Sequence, residues 1–285
     1  MRDADVEHRR IQVADDVCLH VVHAGAGTPV VLLHGFPQFW WAWRYQIPAL
    51  VDAGYHVIAP DLRGYNDSDK PHGVKRYRMK ELVADVRALI KAFGYSRVNL
   101  VAHDWGGVIA FPFAARHPEM LERLIVLNAP HPAVFMRELR TFEQLRKSWY
   151  VFAFQLPRIP EYRLGKPDFA ARIFRGLSRN RAHFTDDVIA RFRDAIMKPG
   201  ARTAMLNYYR ASMSAPSKLA TIKPPTRIIW GEEDVALGLS LLNGLDEHIP
   251  GVDIQRVPNA SHWVNEDAPE RVNELIIDFL RQPVA

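Results

Sequence analysis

Residues 101–107 read Val101-Ala102-His103-Asp104-Trp105-Gly106-Gly107, and the chemistry of the chain turns on the aspartate. The pattern around it is that of a tight strand-to-helix turn that pushes one side chain out at the end of a sheet, a place more often held by serine. Small residues must flank such a turn because strand and helix backbones approach closely. Ala102 and Gly106 supply them. A carboxylate is already ionised at pH 7, so Asp104 can attack an electrophilic carbon with no base to remove a proton. Attack at sp3 carbon would leave an alkyl ester of the protein itself.

Release of that ester needs a base to activate water. His262, in Asn259-Ala260-Ser261-His262-Trp263-Val264-Asn265, follows a strand-like run and can reach a site at the strand ends. A partner must fix its tautomer and stabilise the imidazolium; Asp234, in Gly231-Glu232-Glu233-Asp234, directly follows the strand ending at Trp230. Singly these residues say little, since a lone histidine is usually solvated and an acidic run after a strand is usually a turn. The order Asp104, Asp234, His262 is nucleophile, acid, base, as in α/β-hydrolases. His34-Gly35-Phe36-Pro37 stands after the third strand, where an oxyanion-hole loop belongs. On its own it would be a Gly-Pro turn; beside the elbow, the Phe36 and Trp105 amides are the expected oxyanion donors.

Alternating apolar runs must position these groups. Val30–Leu33, Tyr55–Ala59, Val98–Val101, Leu124–Leu127, Arg227–Gly231 and Val252–Val257 read as strands. Helices are expected over Trp41–Val51, Met79–Phe93, Val108–Ala115 and Pro269–Arg281. Between Pro132 and Pro216 the pattern is helical, broken by Pro157, Pro160, Pro167 and Pro199. The fold class expected is α/β: a mostly parallel sheet flanked by helices, with residues 1–133 and 218–285 as the core domain and 134–217 as an inserted helical lid.

The set His34-Gly35-Phe36-Pro37 with Trp41 and Trp43, His103-Asp104-Trp105-Gly106-Gly107, Asp234 and His262-Trp263 resembles an epoxide hydrolase of the α/β-hydrolase fold over nearly the whole chain. Haloalkane dehalogenases share the His-Asp-Trp-Gly elbow and are the alternative. The resemblance implies two lid tyrosines that grip the epoxide oxygen and donate a proton. Tyr150 stands in Ser148-Trp149-Tyr150-Val151-Phe152, and Tyr209 in Leu206-Asn207-Tyr208-Tyr209-Arg210; Tyr209 is preferred over Tyr208 because the family tyrosine directly precedes the arginine. Haloalkane dehalogenases often carry asparagine where this chain has Phe36, and fluoroacetate-type enzymes carry arginine where it has Trp105. The substrate expected is an apolar or aryl epoxide, held by Phe36, Trp105, Tyr150 and Tyr209. A ligand-binding member of the fold is a further alternative, which an incomplete triad would have favoured.

Composition narrows the rest. The chain has 285 residues, 48% hydrophobic and 24% charged, which allows one large domain or one domain with a sizeable insertion. The single cysteine, Cys18, permits no internal disulfide. Histidines do not cluster at metal-ligand spacing and no Gly-rich phosphate loop follows a strand, so no cofactor and no metal are expected. The charged first residues do not read as a signal peptide, so none is expected, and no apolar run approaches the roughly 18 residues of a membrane span; a cytoplasmic location is expected. The net charge is +5, and 134–217 carry sixteen Lys and Arg against seven Asp and Glu. Those cations alternate with Leu, Phe and Ile rather than forming a block, so a solvated helix face is expected and no nucleic acid. Monomer and homodimer are both open.

Overall fold

The computed structural model describes residues 5–212 and 219–283. These form an eight-stranded sheet in the order β1-β2-β4-β3-β5-β6-β7-β8. The strands are β1 (Glu7–Ala14), β2 (Val17–Ala24), β3 (Thr28–Leu33), β4 (Tyr55–Pro60), β5 (Val98–His103), β6 (Leu121–Leu127), β7 (Thr226–Gly231) and β8 (Asp253–Val257). From β4 onward across the sheet every pair is parallel, while β1 and β2 form an antiparallel edge. Every side chain of β5 is buried. That is the signature of a parallel strand covered on both faces by helices.

Core helices α1 (Gln46–Asp52), α2 (Met79–Ala92) and α3 (Trp105–Arg116) follow β3, β4 and β5. The helix expected over Trp41–Val51 is in fact a 3-10 turn, Trp40–Trp43, followed by α1. Pro48 explains the break. It has no N–H for the Arg44 carbonyl, and its ring clashes with that carbonyl in a continuous helix, so it is tolerated only in a first turn. The β1–β2 hairpin is an addition to the strands read from sequence. β1 is mostly exposed and charged, so its period of two has no apolar face to mark it.

Between β6 and β7 the described residues hold only helices: α4 (Pro132–Glu138), α5 (Phe142–Lys147), α6 (Trp149–Ala153), α7 (Ile159–Leu164), α8 (Phe169–Leu177), α9 (Asp186–Met197) and α10 (Ala201–Ser212), with a 3-10 turn at Arg181–His183. Phe174, Phe184 and Phe192 form an aromatic centre for them, with Phe174 and Phe192 stacked at 4.3 Å. The expected boundary at 217/218 lies outside the described residues. The chain leaves the sheet past His131, whose ring stacks on His248 at 4.5 Å. It returns past Ile222, whose N–H donates to the His248 carbonyl at 3.0 Å. Two helices, α11 (Val264–Asp267) and α12 (Pro269–Arg281), close the fold. No helix among the described residues is long and apolar enough to cross a membrane.

Candidate active site

Asp104 sits between β5 and α3 at φ 48°, ψ −118°, a region a non-glycine residue enters only when its surroundings enforce it. The enforcement is steric and polar. A Cβ on Gly106 would lie 2.2 Å from the Leu33 carbonyl oxygen, so the helix starts this close to β3 only because its second residue is glycine. A Cβ on Gly35 would lie 2.4 Å from the Asp104 Cβ. The loop after β3 therefore presses against the carboxylate, and the Phe36 N–H donates to Asp104 Oδ1 at 2.7 Å. Trp105 opens α3, where backbone N–H groups lack partners within the helix. His34 anchors the loop: its Nδ1 donates to the Gly35 carbonyl at 2.9 Å and its Nε2 accepts the Leu62 N–H at 2.9 Å.

Asp234 and His262 meet this carboxylate from the loops after β7 and β8, at the same end of the parallel strands. His262 Nδ1 lies 2.7 Å from Asp234 Oδ2, and Nε2 lies 3.5 Å from Asp104 Oδ2. Asp234 is fully engaged: Oδ1 accepts the Ala236 and Leu237 amides at 2.8 and 2.9 Å, and Oδ2 also accepts Asn128 Nδ2 at 2.8 Å. Burial disfavours a charge on His262, but the Asp234 and Asp104 carboxylates outweigh it and hold the ring up at about 10. Burial would also raise Asp104 and Asp234; hydrogen bonds and charge from His262 keep both below the usual carboxylate range. The resting site is thus a carboxylate–imidazolium–carboxylate array. His103 is different. Burial and the His262 charge push it down to about 4, so it is neutral and braces the His262 carbonyl through Nε2 at 2.8 Å.

The helices after β6 close over these groups and leave a cavity of about 840 Å³, with Phe36, Asp104 and His262 below and Tyr150, Phe154 and Tyr209 above. The space suits a small organic molecule. Tyr150 and Tyr209 cross edge-to-face at 6.0 Å, and Tyr209 packs on Trp105 at 4.9 Å and Phe36 at 5.3 Å. Burial and the nearby Asp104 charge push both phenols up, so both keep their protons. Tyr208 turns away and donates to the Arg63 carbonyl at 2.6 Å. All five expected catalytic side chains therefore border one cavity or its supporting hydrogen bonds. His20, Asp61 and Asp67, the group of metal-type ligands among the described residues, are occupied otherwise: His20 Nδ1 and Asn66 Nδ2 both bond Asp61 Oδ2, and Lys198 pairs with Asp67.

Two supporting residues escaped the sequence reading. Asn128, at φ 36° after β6, binds Asp234 and also accepts the Gly231 N–H through Oδ1 at 2.8 Å. Its only sequence signal is an asparagine closing an apolar strand, a position that tolerates a left-handed backbone. Arg210 ties α10 to the end of α6 through the Phe154 carbonyl at 3.1 Å, and to α7 through Glu161 at 2.7 and 3.1 Å. It fixes the two tyrosine-bearing helices against each other.

Residues 28–269 match the family model for the alpha/beta hydrolase fold. The AB hydrolase superfamily protein YfhM of Bacillus subtilis (strain 168) is 44% identical over 93% of this chain and 95% of its own. The chain belongs to the alpha/beta hydrolase fold family. Within it, this hydrolase groups with epoxide hydrolases. Epoxide hydrolase 3 of Xenopus tropicalis is 38% identical over 97% of this chain and 78% of its own. A variant of a Bacillus megaterium epoxide hydrolase, solved with its product (R)-3-[1]naphthyloxy-propane-1,2-diol, superposes with a TM-score of 0.86 at 33% identity, covering 96% of this chain and 100% of that one. The haloalkane dehalogenase alternative finds no support among these relatives.

Proposed function

We propose that this hydrolase converts an apolar or aryl epoxide and water to a vicinal diol through an ester on Asp104, beneath a cap formed by residues 134–217. The observation that carries the reading is one cavity bounded by an activated carboxylate on one side and two protonated phenols on the other. An epoxide needs both: a nucleophile for carbon, and a donor for the oxygen, which leaves as a strongly basic alkoxide. A halide would need only hydrogen-bond donors. The names of the relatives, and the aryl-ether diol held by the Bacillus megaterium enzyme, support the substrate class.

In the scheme, Tyr150 and Tyr209 hold the ring oxygen while Asp104 Oδ2 attacks a ring carbon from the opposite face. The C–O bond breaks, and one phenol supplies the proton. Asp104 is now a neutral ester, so one of the two charges that held the proton on His262 is gone; the ring gives that proton up, the phenolate left by ring opening takes one back, and neutral His262 becomes a base. Oriented by Asp234, His262 takes a proton from water, which attacks the ester carbonyl. The Phe36 and Trp105 amides receive the oxyanion. Collapse breaks the ester; the departing alkoxide takes the second proton of the attacking water, so Asp104 returns as a carboxylate, His262 is again protonated as at the start, and the diol is freed.

The test is a single turnover in H2-18O. The new diol oxygen must come from the unlabelled Asp104 carboxylate; labelled diol in that first turnover would mean that water attacks the epoxide directly, and the ester route would fall.

A further inference from the structure

Eight of the twelve large apolar side chains exposed among the described residues lie between Met136 and Tyr162, while the other four are scattered. Within this stretch Phe142, Leu145, Trp149 and Phe152 recur at alternating steps of three and four, the spacing of one helical face, and Leu156 and Ile159 follow in the turn into α7. α5 and α6 carry the first four and meet at Ser148, at φ −92°, ψ 10°. The face looks outward: Phe142 is 81% and Trp149 60% exposed. The opposite side is seated, with Gln144 Nε2 bonded to Ser148 Oγ and the Ala236 carbonyl, both at 2.9 Å. So large an apolar stripe on one side of a soluble domain marks a docking surface.

Charge decides what docks. Arg140, Arg146, Arg158 and Arg163 flank the stripe and form no salt bridge within the described residues, whereas Glu138 and Glu161 are already paired with Arg137 and Arg210. A second copy would bring like charges together, and the stripe is shorter than the three to four heptads a coiled coil needs. Exposed aromatic and aliphatic side chains with a basic rim are the composition of a helix lying in a membrane interface. Trp149, Leu156 and Ile159 also border the cavity. We propose that α5, α6 and the turn into α7 dock on an anionic lipid bilayer, with the cavity opening toward the headgroup–acyl boundary. If the hydrolase acts on apolar epoxides as proposed above, that boundary is where they concentrate; the docking itself does not depend on that reading.

The test is co-sedimentation of the untagged full chain with phosphatidylcholine vesicles, with and without phosphatidylglycerol, across a salt series. Binding is expected with phosphatidylglycerol and should weaken as salt rises. The other tryptophans of the described residues are buried, so a blue shift on vesicle addition reports Trp149 entering the interface. Phe142→Gln with Phe152→Gln, both outside the cavity lining, should lower partitioning by about tenfold or more, with an unchanged unfolding midpoint. Arg140→Gln with Arg146→Gln should lower it by about tenfold on anionic vesicles and leave neutral ones unaffected. Equal partitioning of the wild type and the Phe142/Phe152 variant, or no vesicle binding at all, would overturn the proposal. So would a wild-type dimer that the same variant turns into monomers, which would assign the stripe to a second copy.

Discussion

The floor of the cavity and its roof hold their reactive groups in different ways. On the floor each polar atom is fixed by hydrogen bonds and backbone. Asp104 stands on a turn closed by Gly106, and Asp234 accepts from two amides, Asn128 and His262. On the roof Tyr150 and Tyr209 are held through their rings, against each other and against Phe154, Trp105 and Phe36. Hydrogen bonds are directional and admit one geometry; ring packing admits exchange of one apolar neighbour for another. The floor therefore suits the single two-step reaction proposed above, while the roof above it can be reshaped to fit different epoxides.

Substitutions can break or sharpen that contrast. On the proposed scheme, Asp104→Asn removes the nucleophile with little change in shape and should lower kcat by about 10⁴-fold or more, read by steady-state diol formation. His262→Gln should leave ester formation intact and slow its hydrolysis by about 10²- to 10⁴-fold. Intact-protein mass spectrometry should then find the mass of the epoxide added to the chain. The wild type should show the same split through pH. Ester formation needs ionised Asp104, which stays charged well into acid because His262 depresses its pKa. Hydrolysis needs neutral His262, whose pKa falls from about 10 once Asp104 is esterified. As pH falls through that lowered value the ring regains its proton, so hydrolysis fails first and ester accumulates; rapid-quench mass spectrometry reads the build-up.

On the roof, Tyr150→Phe or Tyr209→Phe should each slow ring opening by about 10- to 10²-fold, and both together more than either, in single-turnover kinetics. Two phenols that are partly interchangeable would make the roof as tolerant as its packing suggests. A full loss from one substitution would mean that it is as exacting as the floor. The smallest effect belongs to Asn128→Ala, which leaves Asp234 one donor short and the Gly231 N–H unpaired. A loss of about 1–3 kcal/mol of stability is expected, measured by urea unfolding, with roughly tenfold lower kcat restored in part by Asn128→Gln.

The same contrast governs what could be read from the sequence. The floor residues lie at the ends of apolar strands, where a polar side chain stands out against its surroundings, and Asp104, Asp234 and His262 are visible in that way. Tyr150 and Tyr209 sit on helices rich in aromatic residues, and nothing in composition or period separates Tyr209 from Tyr208. Only resemblance pointed to Tyr209; the bond from Tyr208 to the Arg63 carbonyl shows why its neighbour faces the cavity. Asn128 was invisible because its role depends on β7 lying beside β6 and on its hydrogen bond to Gly231, a residue 103 positions later in the chain. The edge hairpin escaped because its outer strand buries too little to show a period. The outward apolar stripe reads in sequence as an ordinary amphipathic pattern, and only exposure reveals that its greasy side faces away from the core.

Both passages of the chain into and out of the helical roof converge on His248: the His131 ring lies flat on its ring, and the Ile222 amide binds its carbonyl. An insertion whose two ends are pinned at one place adds or loses length without shifting the strands on either side. The roof is thus a cassette. Lineages can trade it, or an engineer can graft another between residues 131 and 222, and the buried chemistry beneath would inherit a new set of substrates in one recombination rather than through many separate steps.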